Sequence, residues 1–299
     1  MSDIPAYPSF RELEITDKNV FDSALADYPP EISEFTFTNL YCWKDTYQFK
    51  VSRFQDVLIV RSDEQKAPVF LPAVGRAADK PGIMLVLQDS GGQFIRVPED
   101  VKRIFEGDTL VRISEDPDNF DYVYAFADLA ALQGRKFDGK RNLIKKFKSN
   151  CVYEYQAVDG TNLRECAAFE ETWCSIKDCD HTPGLAHERR AYEEMLRNFS
   201  AFSLHGGVLK VGGRIAAVAI AERLNPQTLV MHILKADPHL AGGYQTMLWE
   251  FLNHETENFT YVNLEQDLGV EGLKRSKLSY HPQYMVKKYK ITLARLISS

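Results

Sequence analysis

Residues 228–245 read TLVMHILKADPHLAGGYQ. Residues 228–235 form an apolar, strand-like run. A turn with Asp237 and Pro238 follows, and Gly242-Gly243 opens a helix expected over 244–257. A strand, a glycine-containing loop and a helix, in that order, leave the first backbone N–H groups of the helix without partners inside it. Such a terminus binds phosphate or pyrophosphate. Gly242, Gly243, Tyr244 and Gln245 are therefore the candidate anion-cradling residues. The competing reading is a plain helix-opening turn, because a Gly-Gly pair before a helix is a weak signal by itself.

Working outward, the second half of the chain predicts helices over 162–177 and 187–199, then strands over 202–209 and 214–223. Gly212-Gly213 between these strands suits a tight hairpin that needs positive φ. After the quoted stretch come a strand over 261–265, a short helix over 270–277 and a last strand over 284–293. In the first half a helix over 17–26 starts at Asp17, a suitable N-cap, and stops at Tyr28-Pro29-Pro30. Residues 47–53 and 57–61 read as a hairpin, and 69–71, 94–97, 110–113 and 122–126 as further strands. A helix starts at Pro98, with Glu99 and Asp100 placed to suit its dipole. The fold class is α+β. The expected domains are 1–130 and 131–299, meeting near residues 127–160.

The chain has 299 residues, 44% hydrophobic and 26% charged, ordinary globular values for one large or two average domains. No run of about 18 apolar residues is present. The start, MSDIPAYPSFRELEITDKN, lacks a basic segment followed by an apolar one, so no signal peptide is expected. The cysteines (Cys42, Cys151, Cys166, Cys174 and Cys179) are odd in number and scattered. They read as reduced thiols of a cytoplasmic protein.

The formal net charge is -6, yet residues 121–148, DYVYAFADLAALQGRKFDGKRNLIKKFK, end in a basic helix. A basic segment inside an acidic chain asks for an anionic partner. Helical spacing places Arg141, Lys145 and Lys148 on one face, and Leu143, Ile144 and Phe147 on the other. Lys140 falls on the apolar side, where a lysine either snorkels or meets a buried anion. Arg135, Lys136, Lys140 and Arg141 form the candidate anion-binding set, the alternative being a solvated helix end.

Four segments, FTFTNLYCWKDTY, DYVYAFADLAALQGRKFDGKRNLIKKF, HLAGGYQTMLWEF and NLEQDLGVEGLKRSKLSYHPQYMVKKY, resemble the phosphatidylglycerol lysyltransferase C-terminal-domain-like family over about residues 10–291. The resemblance implies two tandem GNAT-like domains with mixed central sheets, an arrangement shared with transferases that use aminoacyl-tRNA. In that fold the start of the helix at 242–245 is where an acyl carrier's pyrophosphate lies. The implied activity is acyl or aminoacyl transfer from an acyl-CoA or aminoacyl-tRNA donor, without a tightly bound cofactor. The implied partners are a phosphate-bearing substrate, tRNA and, peripherally, a membrane surface. The competing class is a binding module that keeps the fold without the chemistry.

Such transfer needs a held donor, proton transfer and a stabilised oxyanion. Glu265 and Asp267, just past the strand over 261–265, are candidates for proton transfer, because side chains beyond strand ends face the crevice of open α/β sheets. Asp267-Leu268-Gly269 reads equally as a helix-capping turn. Tyr280 is a candidate proton donor, or else a structural residue before His281-Pro282. Lys287, Lys288 and Lys290 read mainly as solvated surface. Cys174, Cys179 and His181 lack a fourth metal ligand. No metal site is expected, and His232 reads as a satisfied core histidine.

Overall fold

The computed structural model describes residues 3–72, 74–75 and 80–294. Along the chain come β1 (Arg11–Glu12), α1 (Lys18–Asp27), α2 (Phe37–Cys42), α3 (Lys44–Tyr47) and the hairpin β2 (Phe49–Phe54) and β3 (Val57–Ser62). Then follow β4 (Val69–Phe70), α4 (Lys80–Ser90), β5 (Gln93–Val97), α5 (Glu99–Ile104) and β6 (Val111–Glu115). Asp17 does not cap α1 with its side chain. Its buried carboxylate instead takes two guanidinium hydrogen bonds from Arg11, at 2.6 and 2.8 Å, and the Glu14 N–H. Thr36 performs the capping role for α2, accepting from the Asn39 N–H.

The second half contains β7 (Asp121–Ala125), α6 (Phe126–Ala131), α7 (Asp138–Asn150), β8 (Tyr153–Ala157), α8 (Leu163–Lys177) and α9 (Pro183–Arg197). It continues with β9 (His205–Val211), β10 (Arg214–Asn225), β11 (Thr228–Ala236), α10 (Gly243–His254) and β12 (Tyr261–Asn263). The last elements are α11 (Glu271–Leu278), β13 (Tyr284–Val286) and β14 (Tyr289–Leu293). Gly212 and Gly213 both have positive φ in the β9–β10 turn, as the hairpin requires. The run after Tyr122 is strand only to Ala125 and then turns helical, because the alanine-rich stretch that follows favours helix.

Two seven-stranded mixed sheets result, in the orders β1-β2-β3-β4-β5-β14-β6 and β13-β7-β12-β11-β10-β9-β8. The fold is α+β with two tandem GNAT-like units. The units interleave along the chain instead of dividing at 130/131. The first comprises Met1–Asp121, Gln266–Leu273 and Met285–Ser299, and the second Tyr122–Glu265 and Lys274–Tyr284. The reason is strand pairing: β14 pairs with both β5 and β6, burying Ile291 and Tyr289 with Phe94, Val97 and Val111. The expected single strand over 284–293 is thus two strands in different sheets. At the break Lys288 turns inward, fully buried, with Nζ 2.7 Å from Asp121 and 2.5 Å from Glu34. It is not solvated surface.

In the second unit α10 packs against α6, α7 and the strands β9, β10 and β11, while α8 packs against α9 and β10. Parallel pairing of β11 with β12 ends at Val230↔Asn263, although β11 continues to Ala236. The two strands therefore part beyond Val230. Cys174 and Cys179 form a disulfide, which corrects the expectation of five free thiols. Asp178, with φ 55, reverses the chain after α8 and brings their Cα atoms to 5.0 Å. Cys42, Cys151 and Cys166 lie outside this disulfide. Among the described residues no helix is long and apolar enough to cross a membrane.

Candidate functional site

Helix α7 buries Ile144 and Phe147, and Lys140 lies with them at 8% exposure. The Lys140 Nζ donates to Ser279 Oγ at 2.6 Å and stands 3.7 Å from the centre of the Tyr280 ring. Among the described residues no carboxylate pairs with it. Burial alone lowers its pKa from 10.5 to about 8. Tyr280 is itself buried and hydrogen-bonded to the Gln245 side chain; burial pushes its phenol well above the ordinary range, and the Gln245 contact opposes this only in part. Its ring meets Tyr124 edge to face at 6.4 Å.

Gln245 belongs to the first turn of α10. Gly242 precedes that turn in the left-handed region at φ 89, and a Cβ there would lie 2.2 Å from the Leu143 carbonyl oxygen of α7. Gly243 donates its N–H to the Leu240 carbonyl at 3.0 Å, and a Cβ on it would lie 3.1 Å from the Ala236 methyl. Close packing of the start of α10 on α7 accounts for Gly242 and on the end of β11 for Gly243, and no open cradle exists at Gly242. The first helical bond runs from the Thr246 N–H to the Gly242 carbonyl. The N–H groups of Tyr244 and Gln245 consequently have no acceptor within the helix. An ammonium without a carboxylate and a helix N-terminus, both favouring an anion, meet through Tyr280.

The other basic candidates lie outside this cluster. Lys136 pairs with Asp128 at 2.8 Å. Arg141 pairs with Asp138 and donates to the carbonyls of Leu132 and Gly134. Arg135 is exposed.

Among the candidates for proton transfer, Glu265 lies just beyond β12 at φ 58, and its carboxylate is 2.8 Å from His232 Nδ1. The other ring nitrogen is 2.7 Å from Glu222. His232 is skipped between the pairs Ile220↔Ile233 and Ala221↔Met231, so it is the extra residue of a β-bulge, a device that re-aims side chains. Burial would lower its pKa, but the two carboxylates outweigh burial and hold it at about 10. His232 is thus a buried imidazolium bridging two acids. Asp267 lies in the first unit, where its Oδ1 accepts the Gly269 N–H at 2.8 Å, an Asx turn whose bonded N–H precedes α11 and so is not a cap of that helix.

Comparison with known proteins places this arrangement. The model of the family "phosphatidylglycerol lysyltransferase, C-terminal" matches residues 25–292. The chain belongs to this family. A conserved protein of unknown function from Bacteroides thetaiotaomicron superimposes with a TM-score of 0.88 at 30% identity, covering 95% of this chain and 99% of that one. L-PGS from Bacillus licheniformis superimposes at 0.63 with 14% identity, covering 97% and 94%. An uncharacterized protein of Mycoplasmoides gallisepticum is 25% identical over 208 residues, 66% of this chain. The match spans 60% of that relative's length.

In this family member the cluster that sequence reading missed most completely is Lys235. It is 3% exposed, ion-paired to Glu170 at 2.6 Å and Glu188 at 2.8 Å, and lies over the Trp173 ring. Nothing in the strand pattern of 228–235 separates a lysine at a strand end from a buried one. Ser279 and Tyr124 were missed for a different reason: they reach Lys140 and Tyr280 only through tertiary packing. The signals that did find the site were Lys140 on the apolar face of its helix, the strand–glycine loop–helix order that pointed to Gln245, and Tyr280.

Proposed function

We propose that this phosphatidylglycerol lysyltransferase C-terminal family member transfers an aminoacyl or acyl group, and that the second unit holds the donor through a phosphate. The observation that carries this reading is Lys140, a buried ammonium with no carboxylate partner among the described residues. An uncompensated buried charge is destabilising by several kcal/mol, which is why its pKa falls. A phosphate-bearing ligand supplies the missing counter-charge, and the Tyr244 and Gln245 N–H groups add to its binding. Tyr280, kept protonated by burial, is the proposed proton donor to the oxygen that leaves the acyl carbon. Glu265 is proposed as a positioned charge, since His232 already engages its carboxylate. Asp267 is proposed as the residue that closes the turn before α11. The family name favours charged tRNA over acyl-CoA as donor.

The test is filter binding of lysyl-tRNA and of acetyl-CoA to the wild-type chain and to Lys140→Met, together with transfer of radiolabelled lysine to phosphatidylglycerol vesicles. Tighter binding of charged tRNA than of acetyl-CoA, weakened in Lys140→Met, supports the reading. Transfer that is abolished in Tyr280→Phe while tRNA binding persists supports the catalytic part. Equal binding by wild type and Lys140→Met overturns the assignment of the site. Donor binding without transfer to any acceptor favours the binding-module alternative.

A further inference from the structure

The first unit contains a cleft of about 430 Å³ that the donor site does not use. This volume is in the range that holds a small organic molecule. Its walls are the end of α1, the segment after it and α5, with Leu25, Ile32, Phe35, Val74 and Val101 supplying apolar surface. Pro29 and Pro30 stop α1 at the edge of the cleft, and Pro98 stands at the entrance to α5. Without an N–H, and with rings that clash with the carbonyl one turn before, these prolines keep helix from continuing across the two turns.

The mouth is acidic. Glu31, Glu99 and Asp100 face one cation, Arg103. Glu99 is occupied by the Tyr289 hydroxyl, with Lys102 and Arg103 each at 3.5 Å. Asp100 accepts the Tyr28 hydroxyl, and among the described residues neither Asp100 nor Glu31 has an ion pair. An apolar volume lined by two exposed carboxylates that, among the described residues, have no ion pair is complementary to a molecule with an apolar body and a cationic end.

We propose that this cleft binds a small amphiphilic amine, its hydrocarbon part against Leu25, Ile32 and Val101 and its ammonium at Glu31 and Asp100. The proposal is independent of the donor site. Isothermal titration of the full chain with n-octylamine, 1-octanol and octanoate tests it, because the three probes share a tail and differ in charge. The expected result is saturable binding of one octylamine per chain, at least tenfold weaker binding of octanol, and undetectable octanoate. In the double variant Glu31→Gln/Asp100→Asn the amine and the alcohol should bind alike. Leu25→Trp, which fills the cleft, should abolish both. Equal binding of all three probes by the wild type, no binding of octylamine, or an unchanged preference for the amine in the double variant would each overturn the proposal. The double variant alters only the cleft mouth, so it decides the question even where Leu25→Trp fails to fold.

Discussion

Replacing His232 by Gln should change the slope of stability against pH, not merely its level. The histidine's pKa is about 10 in the folded chain, against its ordinary 6.5. Between those values the folded state holds a proton that the unfolded state has lost, so stability falls as pH rises. The slope is about 1.4 kcal/mol per pH unit, and the whole interval amounts to roughly 5 kcal/mol. This stabilisation is fully present below pH 6.5 and is lost as pH rises through about 10. Lys140 acts with the opposite sign. Its folded pKa of about 8 lies below 10.5, so over that interval the unfolded state binds the extra proton and stability rises with pH. That contribution is common to wild type and variant and cancels in their difference. Urea unfolding of both proteins at pH 6.5, 8 and 9.5 is the assay. The wild-type advantage should shrink steadily by a few kcal/mol across the series. Parallel stability curves would refute the buried imidazolium, and with it the account of how Glu265 is held.

Three further outcomes follow from other sites. Gly242→Ala should be destabilising by about 3 kcal/mol in urea unfolding, from left-handed strain and overpacking together, because a Cβ would meet the Leu143 carbonyl; a loss under about 1 kcal/mol would contradict the packing of α7 on α10. Lys288→Ala should be destabilising by about 3 kcal/mol, because it leaves the buried Asp121 carboxylate with Ser33 donors but without its ammonium and removes one of two cations from Glu34, which keeps Arg96, whereas Lys287→Ala, which loses an exposed pair with Glu115, should change stability by at most about 1 kcal/mol. Equal effects of the two would restore the solvated-surface reading. Binding of a phosphate-bearing donor should weaken as pH rises through 8, because Lys140 attracts it as an ammonium and not as a neutral amine, while the N–H groups of α10 do not titrate; binding that is constant from pH 7 to 9.5 would contradict this.

The element order of residues 162–277 was legible because its strands and helices carry strong apolar periodicity and its turns carry glycine and proline. Three features were not. Helix α4 begins Lys80-Pro81-Gly82, where proline and glycine read as a loop although proline is tolerated in a first turn. Strand β8 lies at the edge of its sheet, and its sequence YEYQA is too polar to read as strand. The interleaving of the units depends on β14 pairing with β5, nearly two hundred residues earlier, and local pattern contains no such information. The site divided in the same way. Lys140 was found from its position on the helix face. That Lys136 and Arg141 are engaged by Asp128, Asp138 and the Leu132 and Gly134 carbonyls, and that Arg135 is exposed, is visible only in three dimensions. His232 was read as a satisfied core histidine, but its partners come from ten and thirty-three residues away.

The central claim is that Lys140 holds a donor phosphate. The most direct measurement is the salt dependence of lysyl-tRNA binding by wild type and Lys140→Met at pH 7, between 50 and 200 mM salt. For a contact that neutralises a phosphate, the slope of log affinity against log salt should be shallower by nearly one in the variant. Affinity should fall by the equivalent of about 1.5–3 kcal/mol, the size of a desolvated charge-assisted contact. Identical slopes and affinities in the two proteins would contradict the account, and Lys140 would then be only a lysine packed beneath Tyr280.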